Sequence, residues 1–210
     1  MNGKVVMELG RPNLPQYQDP RAKYAPTNVI PAPDGTFYVG DGYGSSWVMH
    51  YSAKGELLHV FGGKGDKPES LNVPRGGIVD TRDPKNHTLT ICSRTDNALK
   101  RFTMSGIHLQ TIVIPGMRVC QLARRDNYMV ACHLEGLLSV IDHNHQVVSN
   151  PGGSPPSYDA SWSKLAGPAK AEGSPFIHPH GEWVDSEHSI YVPQWNSKNT
   201  HPIKLKRIKA

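Results

Sequence analysis

The chain has 210 residues, 37% apolar, 8% aromatic and 20% charged, with 23 Lys and Arg against 18 Asp and Glu for a formal charge of +5. Its 20 Gly and 18 Pro are too many for a helical bundle, and its apolar content is too high for a disordered chain. No apolar run approaches the ~18 residues of a membrane-crossing helix, and residues 1–10 lack the apolar core of a signal peptide, so a soluble single domain is expected, with the cytoplasm favoured.

Residues 3–10, GKVVMELG, read as a first apolar strand. Residues 27–63 follow as a meander: a short apolar run, a PDG turn, the strand TFYVGD, the strand WVMHYS, a KG turn and the strand ELLHVFG. The unit recurs over 71–114 (GGIVD, HTLTICSR, NALKRFTMSG, IHLQTIVI) and over 115–150 (RVCQLARRDN, YMVACH, LLSVIDHN, HQVVSN). A last unit, 178–208, has only three strands, GEWVDSEH, SIYVPQW and PIKLKRI. A proline precedes the first strand each time, at Pro26, Pro74, Pro115 and Pro179.

A repeat of about 40 residues, each a four-stranded meander, is the pattern of a β-propeller. The segment Gly3–Gly10 lines up with Gly55–Gly62, the fourth strand of the first unit. It is therefore expected to complete the last blade and close the ring, which would remove exposed strand edges. The fold class is all-β, with four blades in one domain; the alternative is the C-terminal part of a six-bladed propeller.

Residues 151–177 break the repeat, with five Pro, four Gly and five Ser. Tyr158 and Trp162 are positioned to pack this insert over the channel as a lid, the other reading being a tolerated insertion. Cys92, Cys120 and Cys132 are odd in number and lie in apolar runs, so buried free thiols and a reducing compartment are expected. Lys204, Lys206, Arg207 and Lys209 form a basic tail without any nucleic-acid motif, which reads as a solvated strand rather than a nucleic-acid site.

The segments PDGTFYVGDGYGSSWVMHYSAKGELL, LNVPRGGIVD, CSRTDNALKRF and HPHGEWVD resemble the NHL-repeat propellers. Among these they are most similar to the peptidyl-α-hydroxyglycine α-amidating lyases. The resemblance implies an axial zinc held by three His, with a catalytic Tyr and Arg. Tyr43 in GDGY matches the Tyr, Arg94 in CSRTDN the Arg, and His180 in HPHGEW one zinc ligand. Arg75 in VPRGG stands where the second ligand is expected, and no residue here matches the first. Zinc and, separately, a structural calcium are the candidate cofactors, and neither follows from the residues alone.

In a propeller the inner strands begin around the axial channel, so Asn28, Arg75, Gln121 or Arg118, and His178 with His180 are expected at its mouth. Turns after the second strands would bring Tyr43, Arg94, His133 and Trp195 to the same end. Two Arg forks suit a carboxylate or other small anion, and Tyr43 is the candidate general acid or base. His178 and His180, at i and i+2 on a strand, face one side and are the candidate metal pair. Asp41 and Asp185 read as turn formers.

Two classes of function remain. One is a propeller that binds a small anionic or peptide ligand, or a partner protein, at its mouth without the family's catalysis. The other is an amidating-lyase-like enzyme whose metal site is completed outside this chain. No membrane or nucleic-acid partner is expected, and monomer and homodimer both stay open.

Overall fold

The computed structural model describes residues 3–116, 118–152, 175–197 and 199–208. Among the described residues, short runs of β-branched and aromatic residues, cut by Gly, Asp and Asn turns, give fifteen strands and one short 3-10 turn, Pro15–Tyr17. The first blade holds β1 (Asn28–Pro31), β2 (Phe37–Gly40), β3 (Trp47–Tyr51) and β4 (Leu57–Gly62). The second holds β5 (Pro74–Asp80), β6 (Thr88–Ser93), β7 (Ala98–Thr103) and β8 (His108–Val113).

The third blade holds β9 (Val119–Arg125), β10 (Tyr128–His133), β11 (Leu137–Ile141) and β12 (Val147–Ser149), and the fourth β13 (Trp183–Val184), β14 (Ile190–Val192) and β15 (Ile203–Leu205). Each blade is an antiparallel meander in chain order, and the inner strands β1, β5, β9 and β13 stand side by side in sequence. This is a β-propeller architecture.

The core lies between blades rather than within them. Ile30, Tyr38, Val48, Leu89, Ile91 and Phe102 pack the first blade on the second. Leu99, Ile112, Leu122, Met129 and Ile141 pack the second on the third, while Cys120, Cys132, Leu138, Phe176 and Val192 join the third to the fourth. The three cysteines are buried free thiols. No helix among the described residues is long and apolar enough to cross a membrane.

The N-terminal segment departs from expectation. Residues 3–10 form no strand, and the fourth sheet keeps three strands among the described residues. Met7 and Leu9 lie instead against Gly55, at the β3–β4 turn of the first blade. The cause is the tether that follows. Tyr17 is buried, its hydroxyl donates to Asp41 Oδ2 at 2.7 Å, and with Leu14, Ala22 and Tyr24 it covers Val39, Met49 and Tyr51. That is the face of the first blade turned away from the second, so the segment is held beside the first blade. The insert's expected lid residues, Tyr158 and Trp162, lie outside the described residues.

Candidate functional site

The turns at one end of the blades are built to hold side chains still. In the β2–β3 turn, Asp41 has no exposed surface and accepts from Ala25 N at 2.6 Å and Ser45 N at 2.7 Å, as well as from Tyr17. A Cβ at Gly42 would collide with the Pro74 carbonyl and one at Gly44 with the Asp41 carboxylate, so both positions need glycine. Tyr43 sits between them and is 47% exposed.

Ser93 Oγ donates to Asp96 Oδ2 at 2.6 Å and Asn72 Nδ2 to Asp96 Oδ1 at 2.7 Å, and this fixes the β6–β7 turn that carries Arg94. Val73, just before Pro74 and Arg75, has φ 60. A β-branched residue in that region is strained, and the strain falls at the head of β5.

These elements bring four of the expected residues together. Arg94 Nη1 donates to Tyr43 Oη at 3.2 Å, and the Arg75 and Arg94 guanidinium carbons lie 4.6 and 5.2 Å from the Tyr43 ring centroid. Arg75 Nη2 meets His180 Nε2 at 2.7 Å. Arginine has only donors, so Nε2 must accept and the ring proton sits on Nδ1. Burial, then Arg75, then Arg94 lower the His180 pKa to about 4, which makes the imidazole neutral at physiological pH. Among the described residues no carboxylate forms an ion pair with Arg75.

The other expected residues are placed differently. His178 is buried, its Nδ1 at 2.9 Å from the Leu134 carbonyl oxygen and its ring centroid 5.7 Å from that of Trp195, which is half exposed. His133 has no exposed surface; Nε2 meets Ser139 Oγ at 3.0 Å and burial lowers its pKa to about 3. It is an interior histidine under Gly116, not a mouth residue. Gln121 accepts from Gly77 N at 3.1 Å and Leu122 N at 3.2 Å, which ties β9 to β5. Asn28 opens β1 opposite Gly40 and makes no side-chain hydrogen bond among the described residues. Asp185 accepts from Glu187 N at 2.9 Å and Ser189 N at 2.8 Å, a turn former like Asp41.

One functional candidate escaped the sequence reading. Glu182 lies two residues after His180, just before β13 begins at Trp183. Its carboxylate oxygens are buried without a hydrogen bond, and burial lifts its pKa to about 8. The Cys132 thiol and Ala123 amide stand close enough to ease that shift without reaching hydrogen-bond geometry.

The axial zinc that the resemblance implies does not fit this set of side chains. The His180 Nε2 lone pair is occupied by Arg75, His178 Nδ1 faces a carbonyl, and no group of three metal-ligating side chains converges among the described residues. Metal binding at Nε2 would require the Arg75 contact to break.

No family model matches the chain. It is 27% identical over 136 residues to a probable peptidyl-α-hydroxyglycine α-amidating lyase of Caenorhabditis elegans, a match that covers 60% of this chain and 38% of the relative. Among solved structures it is similar to a virginiamycin B lyase from Staphylococcus aureus, at TM-score 0.59 and 14% identity over 90% of this chain and 58% of that one. It is also similar to a protein of unknown function from Bacteroides caccae, at TM-score 0.55 and 13% identity over 86% of this chain and 63% of that one. These likenesses show the propeller fold, and the chain spans less than two thirds of each of the three.

Proposed function

We propose that this propeller binds a small anionic ligand, a carboxylate or a peptide that carries one, at the mouth formed by Tyr43, Arg75, Arg94 and His180, without the metal-dependent catalysis of the lyases it resembles. The observation that carries this reading is the Arg75–His180 contact at 2.7 Å. It spends the imidazole lone pair on a guanidinium and leaves a neutral histidine in the field of two cations. A carboxylate entering that field gains charge-assisted hydrogen bonds from the remaining guanidinium N–H groups and from His180 Nδ1–H. Tyr43 Oη already accepts from Arg94, which leaves its own proton to donate. Exposed Trp195 offers an apolar wall for the rest of a peptide.

Calorimetric titration with N-acetylglycine, a carboxylate with one peptide bond, tests the proposal. Saturable binding that weakens at least about tenfold in Arg75→Ala supports it. Absent binding, or equal affinity in Arg75→Ala, overturns it.

A second reading has its own support. Tyr43 and Arg94 are hydrogen-bonded as partners, and the curated relative is named as an amidating lyase. Turnover of an α-hydroxyglycine peptide by protein that carries about one zinc per chain on plasma mass spectrometry would favour that enzyme, with its metal site completed by residues beyond this chain.

A further inference from the structure

Away from the channel, β3 and β4 place His50 directly opposite His59, on the face that packs toward the second blade. Their Nδ1 atoms lie 3.4 Å apart. Two nitrogens each about 2.0–2.1 Å from a tetrahedral metal ion stand about 3.4 Å apart, so this spacing is that of two ligands on one ion.

The orientation of His50 is fixed by its neighbours. Its ring stacks on Tyr38 with centroids 4.2 Å apart and planes 9° apart, and its Nε2 meets Thr36 Oγ1 at 2.8 Å. The Thr36 hydroxyl donates to Asp34 Oδ1 at 2.7 Å, so toward His50 it accepts. His50 therefore carries its proton on Nε2 and turns the Nδ1 lone pair toward His59. This Asp34–Thr36–His50 chain is the outer-shell arrangement that orients metal-bound imidazoles.

In the metal-free protein His59 therefore carries its proton on Nδ1 and donates it to His50 Nδ1. Its Nε2 is buried without a hydrogen-bond partner, so the proton can move there from Nδ1 at the cost of only the 3.4 Å hydrogen bond to His50. The Nδ1 lone pair would then join that of His50. Burial lowers both pKa values below the ordinary 6.5, that of His50 also through His59 and against the pull of Asp34, and metal binding needs the neutral rings that result.

We infer that His50 and His59 form a two-imidazole site for a divalent late transition metal, zinc or copper, in the seam between the first and second blades, with water as the remaining ligands. The site is independent of the channel mouth and of the anion reading. It is smaller than the sets of three or more ligands that are absent among the described residues. Binding of the ion leaves the net proton count of neutral His59 unchanged, because its ring proton moves from Nδ1 to Nε2; below the pKa of either imidazole, binding releases a proton.

The test is a titration of the metal-stripped full chain with Zn2+ at neutral pH, with Cu2+ bound in parallel for electron paramagnetic resonance. One ion per chain and a copper spectrum with coupling to two nitrogens are expected. His50→Gln and His59→Gln should each weaken binding at least about tenfold, Thr36→Val less, and His180→Gln should leave it unchanged. Circular dichroism checks that the variants fold. Should one not fold, the copper spectrum of the unmodified chain still decides, since coupling to fewer than two nitrogens overturns the site. Binding that survives the double His50→Gln/His59→Gln substitution, or that is lost instead in His180→Gln, also overturns it.

Discussion

Two arginines stand at corresponding places, just before or at the head of the inner strands β9 and β5, and are used in opposite ways. Arg118 is buried, and its Nη1 meets Glu135 Oε1 at 2.5 Å, so its charge is spent inside the protein. Arg75 meets a neutral imidazole and an aromatic face instead, and its charge remains available to a ligand. The repeated scaffold thus offers one position that serves either structure or binding, and the partner decides which.

The sharpest way to break this contrast is Glu135→Ala. It leaves Arg118 buried next to a lost partner, and folding stability measured by denaturant should fall by about 3–5 kcal/mol. Arg75→Ala should cost far less stability. A fall as large as that of Glu135→Ala would mean that Arg75 is structural too.

The pH dependence of stability comes next. His180 at about 4 and His133 at about 3 are both held below the ordinary 6.5, so the unfolded chain takes up protons first as pH falls and stability drops from 6.5 downward. Glu182 at about 8 and Glu135 at about 7 are raised by burial above 4.5, so the folded chain holds protons that the unfolded chain loses, and stability drops as pH rises through 4.5 toward 8. The melting temperature should therefore peak in mild acid. Glu182→Gln should flatten the limb above it, and an unchanged limb would place the titrating group elsewhere.

A binding difference follows. The affinity for N-acetylglycine should fall about ten- to a hundredfold in Arg75→Ala, the worth of one or two hydrogen bonds to a charged group, and should hold in His133→Gln if that variant folds. The smallest effect belongs to the exposed Asp126–His188 pair, 2.6 Å apart. His188→Ala should shift stability by less than about 1 kcal/mol, as surface ion pairs do.

The blades were legible in the sequence because their strands alternate between tight turns, and the strands among the described residues fall within runs that read as strands, except that β5 begins two residues ahead of GGIVD, at Pro74. Asp41 and Asp185 were legible as turn formers from the residues alone. The meeting of Tyr43, Arg75, Arg94 and His180 was legible only through the repeat, which puts the heads of inner strands and the turns after second strands at one end. The place of residues 3–10 was not, because GKVVMELG would suit a strand edge anywhere and the tether through Tyr17 has no repeat counterpart.

Glu182 was not legible, because residues 180–182 lie outside β13 and no strand period fixes where its side chain points. His50 and His59 could have been found by reflecting β3 across the Lys54–Gly55 turn, since hairpin register sets cross-strand neighbours. His133 misled because it closes strand β10 instead of lying in the turn after it, and its side chain is buried in the core.

The most direct test of the anion-binding mouth is a nitrogen-15 NMR titration of the His180 ring, with and without saturating N-acetylglycine. A proton on Nδ1, a titration midpoint near 4 in the free protein, and a midpoint raised by the bound carboxylate, which favours the imidazolium, are expected. A midpoint at the ordinary 6.5 that the carboxylate does not move would contradict the anion-binding reading.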